Sequence, residues 1–229
     1  MKILLFVTIV LSMFDATALF AKEQKQYSVA VVPENMTVLE KKKRFFTLLA
    51  PAVEDVYNKL YAEYMQAKED IQNHTHPQHI AALKKKYRVK TDKELLIALK
   101  PHPVSITLAQ AAIESAWGTS RFFREAYNIF GMHGLSKEGC IAANSKKGSC
   151  TVWVKEYKSL EHSIQHYYYV LSTVPNYKRF KRLNYAGKSV YEIIQGLKEY
   201  SERADGYVIE LASMIRFNKL TKYDQKVAK

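Results

Sequence analysis

Ser105-Ile106-Thr107-Leu108-Ala109-Gln110-Ala111-Ala112-Ile113-Glu114-Ser115-Ala116-Trp117-Gly118 is the stretch whose reading decides the fold. Residues 105–117 read as a helix stopped by Gly118. It is apolar almost all round, through Ile106, Leu108, Ala109, Ala111, Ala112, Ile113 and Ala116, and such a helix belongs in the middle of a domain. Its polar residues are therefore informative. Thr107, Gln110 and Glu114 stand at i, i+3 and i+7, on one stripe. An ionisable group on a buried helix is costly unless it is paired or used. Glu114 falls in the last turn, where the macrodipole is negative and apolar neighbours desolvate it, and both effects raise a carboxyl pKa. A carboxylic acid still protonated near neutral pH can donate to the leaving oxygen of a glycoside. The competing reading pairs Glu114 with Arg121 or Arg124 at a helix rim.

Upstream, Phe46, Leu49, Val53, Val56 and Leu60 have the spacing of an amphipathic helix running to about Asp70. Pro51 lies inside that pattern and places the start of the main helix there, with residues 22–40 as an extended arm. Residues 73–78 form a polar connector. His74, His76 and His79 lack a clear fourth ligand, so no metal site is expected. A helix is predicted over residues 78–87. Thr91-Asp92-Lys93-Glu94 is a capping box that opens another through Leu99, and His102-Pro103 breaks it.

Downstream of Asn128-Ile129-Phe130-Gly131, residues 139–154 read as a small β-hairpin with a turn around 144–148. Ser159 caps a helix to about Leu171. Ser189-Val190-Tyr191-Glu192 is a capping box for a helix to about Tyr200, and Asp205 caps the last helix, with Val208, Leu211 and Ile215 on its inner face. The fold class is mostly α with one small β insertion.

At the N-terminus, Lys2 precedes twelve nearly all apolar residues, 3–14, and small residues follow at Ala16, Ala18 and Ala21. Residues 1–21 read as a signal peptide, with retention as an anchor the alternative. The chain carries 35 Lys and Arg against 22 Asp and Glu, a net charge of +13. That field suits an anionic polymer or surface, and export argues against genomic nucleic acid. Basic clusters at residues 41–44, 84–86 and 178–182 are either solvated helix faces or contacts to an anionic envelope polymer. Export also permits a disulfide between Cys140 and Cys150 across the hairpin turn, the alternative being two unpaired thiols. His162 and His166 stand at i, i+4 without the H-E-x-x-H pattern, and no phosphate-cradling or nucleophile-elbow motif occurs, so no cofactor is expected.

Residues 109–118 resemble the A-Q-A-A-x-E-S-x-W-G signature of glycoside hydrolase family 73, bacterial β-N-acetylglucosaminidases of peptidoglycan. Further blocks of that family are matched in order: N-L-F-G-I by Asn128-Ile129-Phe130-Gly131-Met132, Y-x-S-x-x-x-S by residues 157–163, N-P-x-Y by Pro175-Asn176-Tyr177, and the tyrosine before the last helix by Tyr200. The similarity covers about residues 90–217. It implies a lysozyme-like α+β glucosaminidase fold with a cleft and a small β-hairpin lobe. The family's general acid falls on Glu114 and its active-site tyrosine on Tyr200. Gln110, Trp117, Asn128, Phe130 and Tyr157 would bind substrate or shape the cleft, the alternative for the aromatic residues being core packing.

Many members carry a second acid in a longer lobe. Here the lobe is short, and Glu138 and Glu156 are the acids nearest its start and end. If neither reaches the sugar, the substrate's 2-acetamido group would assist, or a lytic transglycosylase outcome would follow. The resemblance implies a periplasmic or envelope hydrolase acting on peptidoglycan glycan strands, with no stable membrane span after signal cleavage. Residues 22–88 would pack as an arm and helices on a catalytic domain at 89–229. The alternative is a non-catalytic envelope-binding or assembly module on the same fold.

Overall fold

A computed structural model describes residues 27–147, 150–225 and 227, and for residues 144–147 and 150 the backbone alone. The signal segment expected at 1–21 lies outside the described residues. Thr37 opens helix α1 (Val38–Asn73) with a capping box: the Glu40 N–H donates to Thr37 Oγ1 at 3.2 Å, and Glu40 Oε2 accepts from the Thr37 N–H at 2.9 Å. The helix therefore begins well before Pro51 and passes through it, against the sequence expectation. A proline in a helix interior costs about 3 kcal/mol. Here its ring faces solvent while Phe45, Leu49, Val53 and Val56, on both sides of it, are fully buried in one core and offset that cost. The extended arm shrinks accordingly. It is held by the buried Arg44 guanidinium, which donates to the carbonyls of Ser28 (2.6 Å), Val29 (3.0 Å) and Val31 (3.3 Å), and also to Gly118 (2.8 Å).

The distal half of α1 packs on α2 (Pro77–Tyr87) and α3 (Asp92–Leu99) through a smaller apolar cluster that includes Tyr64, Ile80, Leu83, Leu95 and Leu99. Thr91 and Glu94 form the expected capping box on α3. The connector histidines serve a corner: His76 Nδ1 lies 2.8 Å and His79 Nδ1 3.5 Å from the buried Asp70 carboxylate.

Helix α4 (Val104–Glu114) runs through the middle of the main core, among Phe45 and Val53 of α1, Phe123 of α5 (Arg121–Ala126), and Ile164 and Tyr167 of α6 (Leu160–Thr173). Ser159 caps α6 as expected, its hydroxyl accepting from the His162 N–H at 3.3 Å. Between α5 and α6 stands the antiparallel ribbon of β1 (Cys140–Lys147) and β2 (Cys150–Lys155). Its base is tied down by the Lys155 N–H to the Met132 carbonyl and the Gly134 N–H to the Trp153 carbonyl, both 2.9 Å.

The ribbon's register overturns the expected disulfide. Cys140 pairs with Lys155 at the base, and Cys150 pairs with Lys147 near the tip. Five residues of strand separate these rungs, about 16 Å at about 3.3 Å per residue, whereas a disulfide needs Cα atoms within about 7 Å. Cys140 carries a free thiol.

Helices α7 (Lys178–Tyr185), α8 (Val190–Ile193) and α9 (Asp205–Phe217) close the fold. The capping box at Ser189 is present, but the α-helix it opens ends at Ile193 and continues as a 3₁₀ turn, Ile194–Tyr200. The tighter winding accompanies a close approach to α7, because a Cβ on Gly196 would sit 2.4 Å from both the Cα and N of Phe180. Asp205 does not cap α9. Ala204 takes the cap position, and Asp205 pairs with Lys198 instead. Val208, Leu211 and Ile215 do face inward. Among the described residues no helix is long and apolar enough to cross a membrane.

Candidate active site

Helix α4 ends on Glu114, three residues before the Trp117 expected from the sequence. The Trp117 N–H reaches back to the Ala112 carbonyl (2.8 Å) and the Ala116 N–H to that of Ile113 (3.3 Å), a Schellman termination. Glycine usually occupies its left-handed position, yet here Ala116 does so at φ 51°, followed by Trp117 at 62° and Gly118 at 71°. Each non-glycine residue there costs about 1–2 kcal/mol. The buried Ser115 hydroxyl holds the turn by donating to the Ala111 carbonyl (2.5 Å) and accepting from the Gly118 N–H (2.8 Å). Arg44 clamps it from α1 through the Gly118 carbonyl. The chain thus reverses immediately after the acid and leaves the half-buried Glu114 at the negative end of a buried helix.

The polar stripe of α4 feeds one hydrogen-bonded chain. Tyr207, on α9, donates its hydroxyl proton to Glu114 Oε1 at 2.9 Å. The Gln110 amide donates to Tyr207 Oη at 2.9 Å, and Gln110 Oε1 accepts from the Tyr167 hydroxyl at 2.6 Å. Behind Tyr167, His102 Nε2 lies 3.2 Å from its hydroxyl and 3.0 Å from Thr107 Oγ1. The Thr107 hydroxyl proton goes to Tyr168 Oη at 2.9 Å. Both oxygens facing His102 Nε2 already spend their protons elsewhere, so the network assigns the ring proton to Nε2. Burial pulls the His102 pKa down to about 3, which keeps the ring neutral. Along the branch from His102 through Tyr167, Gln110 and Tyr207, every donor points towards Glu114.

Burial pushes the Glu114 pKa up; the Tyr207 hydrogen bond and the Arg203 charge oppose this, and the Glu210 charge adds to it. The net direction is upward, as the sequence suggests. Its cationic neighbour is Arg203, however, not Arg121 or Arg124. Arg121 pairs with Glu125 at 3.1 Å, while Arg203 pairs with Glu210 at 2.5 Å and lies 5.5 Å from the Tyr207 ring centre.

Tyr200 stacks on Tyr207 with ring centres 5.5 Å apart and planes 10° apart. Its hydroxyl is buried and has no partner among the described residues. Burial and the Glu114 charge hold this phenol well above its ordinary pKa, so it remains a donor. Of the other expected site residues, Gln110 lies within the chain leading to Glu114, whereas four are engaged elsewhere. Asn128 binds the Met132 and Lys155 carbonyls (2.9 and 2.8 Å) and the Met132 N–H (2.9 Å), tying the lobe base to α5. Phe130 stacks on Tyr167 at 3.9 Å. The Tyr157 hydroxyl lies 2.7 Å from His166 Nδ1. Trp117 packs edge-on against Phe45 and Phe46 of α1, at 5.3 and 5.9 Å. Glu138 and Glu156 are exposed at the two ends of the ribbon's base, and neither has a hydrogen bond or ion pair to Glu114.

Tyr207, Tyr167 and His102 were not identified from the sequence. The stripe of Thr107, Gln110 and Glu114 signalled that buried partners must exist, but not which residues supply them.

A mostly helical domain, with a carboxyl ending its central buried helix and a short antiparallel ribbon, defines a lysozyme-like glucosaminidase fold. The family model described as mannosyl-glycoprotein endo-beta-N-acetylglucosaminidase matches residues 93–220, and the chain belongs to this glucosaminidase family. Membership supports glycoside hydrolysis as the chemistry. The chain is 31% identical over 122 residues to Protein bax of Escherichia coli (strain K12), an alignment covering 51% of this chain and 43% of that protein. It also resembles the catalytic domain of the autolysin Auto from Listeria monocytogenes, with a TM-score of 0.53 and 18% identity, covering 85% of this chain and 90% of that one. That likeness shows the fold.

Proposed function

We propose that the chain is an exported peptidoglycan hydrolase that cleaves β-1,4 bonds of N-acetylglucosamine, with Glu114 as general acid. The observation that carries this reading is the termination of α4. It leaves a carboxyl with a raised pKa, one of whose oxygens, Oε1, is held by Tyr207. The other oxygen is left to carry the proton to the leaving glycosidic oxygen. Tyr200 lines the site with a partly exposed ring, and its buried hydroxyl, unpartnered among the described residues, is suited to holding a water.

The placement of the other acids favours assistance by the acetamido group. Glu138 and Glu156 stay at the ribbon's base, and Arg203 occupies Glu210. In that course the acetamido oxygen bonds to C1 as the glycosidic bond breaks and Glu114 protonates the leaving oxygen. Water then attacks C1 and breaks its bond to the acetamido oxygen, returns a proton to Glu114 and frees a reducing end. The division into a packing layer at 22–88 and a catalytic part at 89–229, and a place in the periplasm or cell envelope, belong to the same proposal.

Mass spectrometry of digested sacculi tests it. Reducing N-acetylglucosamine ends are expected, and Glu114→Gln should lower their yield about 100- to 10,000-fold with the fold intact. Anhydro ends would assign a transglycosylase outcome instead. No released fragments from the wild-type chain would leave a binding module.

A further inference from the structure

Basic residues far apart in sequence meet in one groove. The link between α2 and α3 brings Arg88 and Lys90, and α7 brings Lys178, Lys181 and Arg182, around a hollow of about 500 Å³. A neighbouring hollow of about 470 Å³ shares Arg182 and adds Lys93.

Five cations face one acid, Glu94, in this lining, so their charge is only partly offset within the fold. Nearby, Lys84 pairs with Asp92 at 2.8 Å and Lys86 with Glu63 at 3.3 Å. Among the described residues no ion pair reaches the five groove cations. Glu94, the acid on the groove's wall, accepts from the N–H groups of Lys90 and Thr91, both at 3.1 Å, and its single charge offsets part of that of Lys178. The half-buried Lys181 ammonium donates to the Ser172 carbonyl at 2.6 Å. A net excess of cations gathered in a concave, partly desolvated site attracts anions more strongly than the same charges spread over a surface.

The groove adjoins the candidate active site. Pro175 lines it and begins the 3₁₀ turn Pro175–Tyr177. At the other end of that turn, the Tyr177 ring stands 6.1 Å from that of Tyr200, which stacks on Tyr207 beside Glu114. One turn is thus a common wall for both sites. Between the cations lie Val89, Ile97 and Ala98, which can receive small apolar side chains. A lipid surface would be met by projecting apolar residues, but the large exposed ones, such as Leu39, Leu135, Ile209 and Phe217, lie on other elements.

We propose that this groove is a subsite for the carboxylate-bearing peptide stems attached to the glycan strand, placed to hold the strand while Glu114 acts on it. The proposal rests on the glycosidase reading for its substrate, and its test separates the two. Lys178→Glu with Arg182→Glu changes two exposed residues of α7 and leaves the candidate active site untouched.

In a Glu114→Gln background, which prevents digestion, binding to intact sacculi is measured against binding to sacculi stripped of their stems by an amidase. The charge-reversed chain should bind intact sacculi about tenfold more weakly, with a shallower salt dependence. It should bind stripped glycan like its parent. With Glu114 restored, its turnover of a peptide-free N-acetylglucosamine oligomer should be unchanged. Lys178→Gln with Arg182→Gln repeats the test with a milder change, and thermal melts confirm folding.

Equal binding of parent and variant to intact sacculi would overturn the subsite, as would a parent that binds stripped and intact material alike. Stronger competition by phosphatidylglycerol vesicles than by free stem peptides would also overturn it, in favour of a phosphate surface. If no preparation cleaves glycan yet charge reversal still abolishes the preference for stems, the groove stands and the hydrolytic reading falls.

Discussion

The Tyr207 hydroxyl donates to Glu114 Oε1 at 2.9 Å across 93 positions of sequence. The bond runs from the last helix to the end of the central one. It does two things to the carboxyl: it fixes one oxygen, and it stabilises the ionised form against the burial that penalises it.

Removing that donor should therefore shift the pH profile in a set direction. In Tyr207→Phe the ionised Glu114 loses its hydrogen bond, so its pKa rises further. The alkaline limb of the rate profile should move to higher pH. The buried Gln110 amide also loses its acceptor, which costs about 1–3 kcal/mol. Kinetics against pH and urea melts check the two effects separately, and an unmoved alkaline limb would reduce Tyr207 to packing.

Stability against pH offers a second reading of Glu114. Its folded pKa lies above the ordinary 4.5. Below 4.5 the folded and unfolded chains are both largely protonated there. As pH rises through the window above 4.5, the unfolded chain loses its proton first, so the wild type loses stability until the folded carboxyl has ionised. Glu114→Gln lacks this term. Its melting temperature should gain on the wild type over that window, after which the difference stays constant, whereas curves parallel throughout would mean an unperturbed carboxyl.

Close approach at the turn before Tyr200 predicts a sharp penalty. In Gly196→Ala the new Cβ would meet Phe180 backbone atoms at 2.4 Å, and backbone cannot swing aside as a side chain can. Overpacking of this kind costs about 1–3 kcal/mol, and a chain of this size loses about 2–4 °C of melting temperature per kcal/mol. Since the displaced turn carries Tyr200, turnover should fall as well. A melt indistinguishable from the wild type would show that α7 and the turn have room to part.

The ribbon's register predicts indifference to reductant. Cys140 and Cys150 stand on rungs at opposite ends of the ribbon. The melting temperature should be the same with and without dithiothreitol, and maleimide should label Cys140 in the unfolded, unreduced chain. A mass two units low after unfolding without reductant would mean that the cysteines do pair.

The helical architecture was legible locally. Capping boxes at Thr91 and Ser189, the cap at Ser159 and the 3-4 spacing of α1 are short-range signals, and the all-round apolarity of α4 placed it in the core. Glu114 stood out for the same reason, because a titratable residue on a buried helix needs an explanation. Pro51 misled, since its local cost is offset by burial that a helix pattern does not quantify. The cysteines misled too, because nearness in sequence suggested a pairing that register forbids.

What the sequence by itself determined was most of the helices (though not α5 or α7), the small ribbon and the acid that the core helix presents, since these follow from periodicity, capping and the cost of burying charge. Only the tertiary structure decided which hydroxyl holds that acid, where α4 stops, and that Arg88 and Lys90 share a groove with Lys178, Lys181 and Arg182. Each of these joins residues from separate elements. The Tyr207 bond, the Arg44 clamp on Gly118 and the meeting of α2, α3 and α7 depend on how helices cross, and crossing is settled by side-chain packing in three dimensions rather than by any short-range pattern along the chain.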